Sequence, residues 1–114
     1  MLRLELEYDE GILFARLNGK LTRRTSYKIN NYLNPLLEKH NIKLLIYNFD
    51  KLKEIDNIGI EALIRSKNYM KKNKGKIRSC FARGNMEYVA KYLRFSYINN
   101  EREAYKLMEA KKIC

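Results

Sequence analysis

Apolar and polar residues alternate from the start of the chain. Leu2, Leu4, Leu6 and Tyr8 fall on one side of an extended backbone, and Arg3, Glu5 and Glu7 on the other. A period of two marks a half-buried strand. Asp9-Glu10-Gly11 supplies a turn and Ile12 to Leu17 a second strand, close enough to pair as an antiparallel hairpin that Asn18-Gly19 closes. The period then lengthens. Ile29, Tyr32, Leu33, Leu36 and Leu37 recur at helical spacing, with Thr22 or Thr25 as the N-cap. Pro35 interrupts the hydrogen-bond ladder and leaves the stripe in register, which predicts a kinked or two-part helix from about Thr25 to Lys39.

Lys43 to Asn48 is a continuous apolar run, the pattern of a strand buried on both faces of a parallel sheet. Phe49 to Asp56 reads as a turn. Asp56 or Asn57 can cap the next helix, whose apolar face is Ile60, Leu63, Ile64 and Met70 and whose end is Lys71, Lys72, Lys74 and Gly75. A fourth strand spans Lys76 to Ala82, and Met86, Val89, Ala90 and Leu93 mark a short helix. Phe95 to Ile98 is a brief fifth strand, and a last helix with capping-box spacing at Asn100 and Glu103 carries Ala104, Leu107 and Met108. The order is an N-terminal β-hairpin followed by alternating α and β units. That order predicts an α/β fold: one domain over residues 1–114, with a mixed, mainly parallel sheet of about five strands and four helices.

The chain carries 24 Lys and Arg against 13 Asp and Glu, a formal net charge of +11. Such a balance favours acidic partners, among them nucleic acid, anionic lipid or an acidic protein. A compositional reading competes, because Lys, Asn, Ile and Tyr are abundant together, as in chains from AT-rich genomes. Cys80 and Cys114 make neither a disulfide framework nor a metal site. No leader is visible, and no apolar run approaches the roughly 18 residues that span a bilayer. A cytoplasmic protein, monomeric or weakly dimeric, is expected.

The catalytic motifs are missing. Phosphate-binding glycine loops, HExxH and GxSxG are absent, and His40 is the one histidine, placed at a helix end where its part is to meet the last carbonyls. Asp50, Glu54, Asp56 and Glu61 are close in sequence. A carboxylate pair can serve acid–base chemistry or hold Mg²⁺, but a helix cap and solvated charges account for these four. No catalytic residue, metal or cofactor is expected.

The segment Ile42 to Ile60, ending Ile55-Asp56-Asn57-Ile58-Gly59-Ile60, resembles the STAS domain family. It is most similar to single-domain anti-sigma factor antagonists, which carry D-S-S-G-L/I at the start of the second helix. Asp56, Gly59 and Ile60 match that signature. Leu17 to Thr22 resembles the family's L-x-G-x-L-D segment. The resemblance implies a surface that binds an anti-sigma factor which is also a serine kinase. That kinase phosphorylates the second Ser of the signature, adding about −1.5 to −2 charges at the interface and driving the partners apart. Asn57 and Ile58 replace the two serines, so the acceptor position holds a residue without a hydroxyl. No Ser or Thr lies between Leu44 and Arg65, whereas Thr22, Thr25, Ser26 and Ser66 lie outside the signature.

The first reading is therefore a non-enzymatic binding module whose partner is an anti-sigma factor or switch-kinase-like protein. Its expected partner-binding residues are Asn18, Thr22, Arg23, Arg24, Asp56, Asn57, Ile58, Gly59, Glu61, Ala62 and Arg65. Ile58 is either an apolar contact at the centre of that surface or a core residue turned inward. Asp56 serves as a helix cap with or without docking. A structural STAS subunit of a larger signalling or transport assembly ranks second. Nucleic-acid binding ranks last. Tyr27, Tyr32, Tyr69, Tyr88, Tyr92, Tyr97 and Tyr105 interleave with Lys and Arg as stacking surfaces do, but many fall on or beside apolar stripes and the cations do not cluster.

Overall fold

The computed structural model describes residues 1–113, with side chains through Glu109; Cys114 lies outside the described residues. Strands β1 (Leu2–Asp9) and β2 (Ile12–Leu21) form the hairpin. Its turn is Glu10-Gly11, with φ of 50° and 83°, the pair of positive values that a two-residue type I′ turn requires. The register runs from Leu2 opposite Gly19 to Asp9 opposite Ile12 without irregularity. Asn18-Gly19 therefore lies inside β2 rather than closing the hairpin. Gly19 is needed there for another reason: φ is +117°, and a Cβ would stand 2.1 Å from the Met1 carbonyl oxygen.

β3 (Leu44–Ile55) pairs in parallel with β2, β4 (Lys76–Cys80) with β3, and β5 (Ser96–Tyr97) with β4, giving the sheet order β1-β2-β3-β4-β5. The segment expected to be a turn, Phe49 to Asp56, is strand. Its pairing with β2 continues to Leu21 opposite Ile55, across two bulges that absorb the polar residues. Tyr47 and Phe49 point to the same side and stack, with ring centroids 5.5 Å apart.

The segment before β3 is helical in two parts, as Pro35 predicts. A π-helical stretch, Ile29–Leu33, runs into α1 (Asn34–Lys39), where Pro35 sits in the first turn. The wider turn leaves Asn34 bonded to the Ile29 carbonyl and places proline where an amide is dispensable. His40 follows α1, its backbone amide donating to the Leu36 carbonyl at 3.0 Å. Neither threonine caps this helix forward: Thr25 turns back, its hydroxyl donating to the Lys20 carbonyl and accepting the Thr22 amide.

Helices α2 (Asn57–Lys72) and α3 (Asn85–Tyr92) join the α1 segment on one face of the sheet; α4 (Glu103–Ile113) covers the other. Leu44 to Tyr47 are buried on both sides, which is why that run lacks alternation. Cys80 is a buried free thiol, pushed up to about 12 by burial. Asn100 accepts the Glu103 amide, and Glu103 reaches back to the Asn99 amide instead of that of Asn100. Arg16 fastens α4 to the sheet, donating to Glu101 at 2.7 and 2.9 Å and to Glu5 at 2.6 Å. Tyr27, Tyr32, Tyr88, Tyr92 and Tyr97 are exposed rather than packed along the stripes. No helix among the described residues is long and apolar enough to cross a membrane.

Candidate functional site

Parallel pairing of β2 with β3 brings the ends of both strands to one corner. Leu21 stands opposite Ile55, and the Asp56 amide donates to the Leu21 carbonyl at 3.2 Å. The chain leaves β2 into the Thr22–Ser26 turn and leaves β3 directly into α2, so two segments far apart in sequence share one rim.

Asp56 holds that rim together. Its extended backbone makes it the N-cap of α2, and Oδ1 accepts the Gly59 amide at 2.8 Å. Oδ2 accepts the Arg23 amide at 2.9 Å. Partial burial disfavours the charged carboxylate, but the amides of Gly59, Arg23 and Ile58 outweigh this and hold its pKa below the ordinary range.

Gly59 is set by space, not by dihedral angle. A Cβ there would lie 2.4 Å from the Leu21 carbonyl oxygen, so the first turn of α2 rests backbone against backbone on the end of β2. Gly59 is buried in that contact and presents nothing to solvent. Ile58, the next residue back, faces outward with 38 % of its surface exposed, which removes the inward-turned alternative.

Exposed Glu61 and Arg65 continue the outer stripe of α2 from Ile58 at helical spacing, and Arg65 reaches the Asn30 side chain at 3.4 Å. Ala62 does not belong to this surface. It is 0 % exposed and packs in the core, because the same turn of helix must bury one side against the sheet. Its carbonyl accepts the Asn34 side-chain amide at 3.4 Å. Arg23, Arg24 and Asn57 are exposed beside Ile58, and Thr22 is half-buried. Asn18 is exposed but lies about 10 Å down β2 from Leu21, opposite Arg3 and Lys51, apart from the corner.

Two contributors escaped the sequence reading because they were assigned to a turn. Ile55 is half-buried next to Asp56, and exposed Lys53 lines a groove of about 430 Å³ running from the end of β3 to Arg83 and Asn85 at the start of α3. Their signal was present: Phe49, Leu52 and Ile55 are apolar positions in a stretch free of Gly and Pro. Arg83 pairs with Asp50 at 3.0 Å, so Asp50 is a structural ion-pair member. The corner offers an exposed apolar residue, Ile58, with exposed cations on each segment that meets there, Arg23 and Arg24 after β2, Lys53 near the end of β3 and Arg65 on α2, and with Glu54 and Glu61 as exposed acids. No side chain there is arranged as a nucleophile with a base.

The STAS domain family model matches residues 3–98 of the chain. Among solved structures, the fold is similar to that of the anti-sigma factor antagonist SpoIIAA in its unphosphorylated form. Identity is 17 %, 96 % of this chain and 98 % of that chain are covered, and the TM-score is 0.79. SpoIIAA of Bacillus, described as a cell fate determinant, in its phosphorylated form gives 18 % identity, 93 % and 99 % coverage and a TM-score of 0.78. The murine anion transporter of solute carrier family 26, member A9, matches 91 % of this chain with 18 % of its own length at 13 % identity, TM-score 0.74. At these identities the likeness is one of fold.

Proposed function

The chain belongs to the STAS domain family, and from that premise we propose that it is a non-enzymatic protein-binding regulator of the anti-sigma factor antagonist type. Its partner is an anti-sigma factor or a switch-kinase-like protein, met in the cytoplasm by one domain built from the whole chain. The observation that carries this reading is Ile58: a large apolar side chain, 38 % exposed, on the first turn of α2, where the exposed Arg23 and Arg24 follow β2 and Arg65 continues the same helix face. Desolvating such a residue at the centre of a contact contributes far more than polar rim pairs do. The similarity of fold to SpoIIAA supports the choice of partner class.

Residue 58 has no hydroxyl, so a kinase bound at this corner has nothing to phosphorylate at the position where relatives of this type carry their acceptor. Binding is then persistent, and its extent follows the concentrations of the two proteins.

The test uses the chain as bait in lysate of its source, followed by titration calorimetry with the purified partner. Ile58→Asp is expected to weaken binding at least about tenfold, the effect of losing a central apolar contact, with an unchanged melting temperature. Equal affinity for the variant and the parent removes this corner from the interface. A second reading, a structural STAS subunit of a larger signalling or transport assembly, draws support from the fold match to part of the murine transporter. Recovery of membrane-transport components instead of a kinase-fold protein favours it.

A further inference from the structure

We propose that the free edge of β1 is a self-association surface, on which a second copy of this chain adds its own β1 antiparallel across a two-fold axis to form one continuous sheet. The backbone sets this up. The Lys20 amide donates to the Met1 carbonyl at 2.9 Å, so Met1 opposite Lys20 is a hydrogen-bonded pair, and by alternation Arg3, Glu5 and Glu7 also direct their amides and carbonyls to β2. Leu2, Leu4, Leu6 and Tyr8 direct theirs outward. The bond from Lys28 Nζ to the Leu2 carbonyl agrees with that direction. β1 is eight residues long, its pairing has no bulge and it contains no proline, so the edge is blunted only at Leu2, whose carbonyl already accepts Lys28 and keeps a second lone pair for the added strand.

Charge selects the occupant and the register. A second β1 can bond only with even residues opposite even residues, since a one-residue slip turns the wrong backbone groups and the wrong faces together. With Leu4 opposite Leu4 of the second copy, Arg3 stands opposite Glu5 twice and Leu2 opposite Leu6 twice. Sliding by two residues keeps Arg3 opposite Glu7 but sets Glu5 against Glu5 or, in the other direction, Arg3 against Arg3; sliding by four keeps Arg3 opposite Asp9 but sets Glu5 against Glu7 twice, so only the first register has the attractive pairs with no like-charge pair. The favoured register forms about six main-chain hydrogen bonds. It also adds Arg3 of the second copy to a carboxylate already bonded by Arg16 at 2.6 Å. The chain's overall +11 opposes self-association, but residues 1–17 hold four carboxylates against two arginines, so this segment escapes the general repulsion. On the helix side, Leu4 and Leu6 line an open groove of about 630 Å³ with Tyr32, which is 56 % exposed, so the seam has apolar surface left to cover.

Sedimentation velocity across a concentration series tests this. The parent is expected to form a reversible dimer. Arg3→Glu and Glu5→Arg should each weaken it about tenfold, since two cross-strand pairs turn from attractive to repulsive, and the double variant should restore it. Leu4→Pro, which removes an outward amide and some apolar packing but no backbone bond to β2, should abolish it, with circular dichroism confirming that each variant is folded. A parent that stays monomeric at every concentration overturns the proposal. So does a dimer indifferent to the charge reversals, or a double variant that fails to recover.

Discussion

The carboxylate of Asp56 accepts the backbone amide of Arg23, 33 residues earlier in the chain, at 2.9 Å while its other oxygen caps α2 through Gly59 at 2.8 Å. One side chain therefore fixes both the start of the helix and the turn after β2. Asp56→Ala should cost about 1–2 kcal/mol, the usual value of a lost N-cap, read by urea denaturation. Asp56→Asn keeps an oxygen for the cap and should cost less.

The same group gives a pH dependence of defined sign. The Asp56 carboxyl is held below its ordinary value of 3.8 in the folded chain, because the amide bonds outweigh partial burial. Its contribution is fully present above that value and is lost as the pH falls through the lower folded-state one. Melting temperatures followed from pH 6 to about pH 2 should therefore fall less steeply in Asp56→Asn than in the parent. Parallel curves would show that Asp56 contributes nothing to acid stability.

Gly59→Ala tests whether space or propensity governs the first turn of α2. Alanine is the better helix former by about 1 kcal/mol. Against that, its methyl carbon meets a backbone oxygen at 2.4 Å, which cannot yield as a side-chain tip would. Overpacking of this sort costs about 1–3 kcal/mol. A net loss of stability is expected in chemical denaturation; a gain would mean that α2 slides away from β2 freely.

A buried polar chain ties α2 to the sheet and to α1. Tyr47 Oη lies 2.7 Å from Ser66 Oγ, and Ser66 donates to Asn34 Oδ1 at 2.5 Å. Ser66→Ala strands the Tyr47 hydroxyl and the Asn34 carbonyl away from water, at about 1–3 kcal/mol for each unsatisfied group. Tyr47→Phe removes a hydroxyl together with its need and should cost only about 0.5–1.5 kcal/mol. Melting curves of the two variants should rank in that order.

Arg16 is the clasp of the other layer. It hydrogen-bonds Glu101 through two nitrogens, which lowers the Glu101 pKa, and also pairs with Glu5 and Glu7. Arg16→Met should release α4 before the rest of the fold. Hydrogen exchange by mass spectrometry is expected to speed up in residues 103–109 while the central strands stay protected.

The alternation of Leu2, Leu4 and Leu6 and the unbroken Leu44 to Tyr47 run announced a half-buried strand and a doubly covered one, because burial on one or two faces leaves a direct mark on the pattern. The cap at Asp56 was equally visible. The length of β3 was not. Asp50, Lys51, Lys53 and Glu54 look like a turn until β3 is known to bulge against β2 through them, and that irregularity is a property of two strands together. Ala62 was misplaced on the docking surface because a small residue gives no signal of its own. Its neighbours Leu63 and Ser66, both buried, define that side of the helix only after packing. Gly59 matched a signature by letter, whereas its cause, the Leu21 carbonyl, lies 38 positions earlier.

That backbone-to-backbone seat of α2 on β2 bears on how fast a visitor can arrive. Two walls locked into one body need no rearrangement on contact, so little freedom is forfeited at the moment of capture. If the corner binds as proposed, association should be limited by diffusion and by the pull of Arg23, Arg24 and Arg65, slowing as ionic strength rises, while the lifetime of that complex would rest on Ile58.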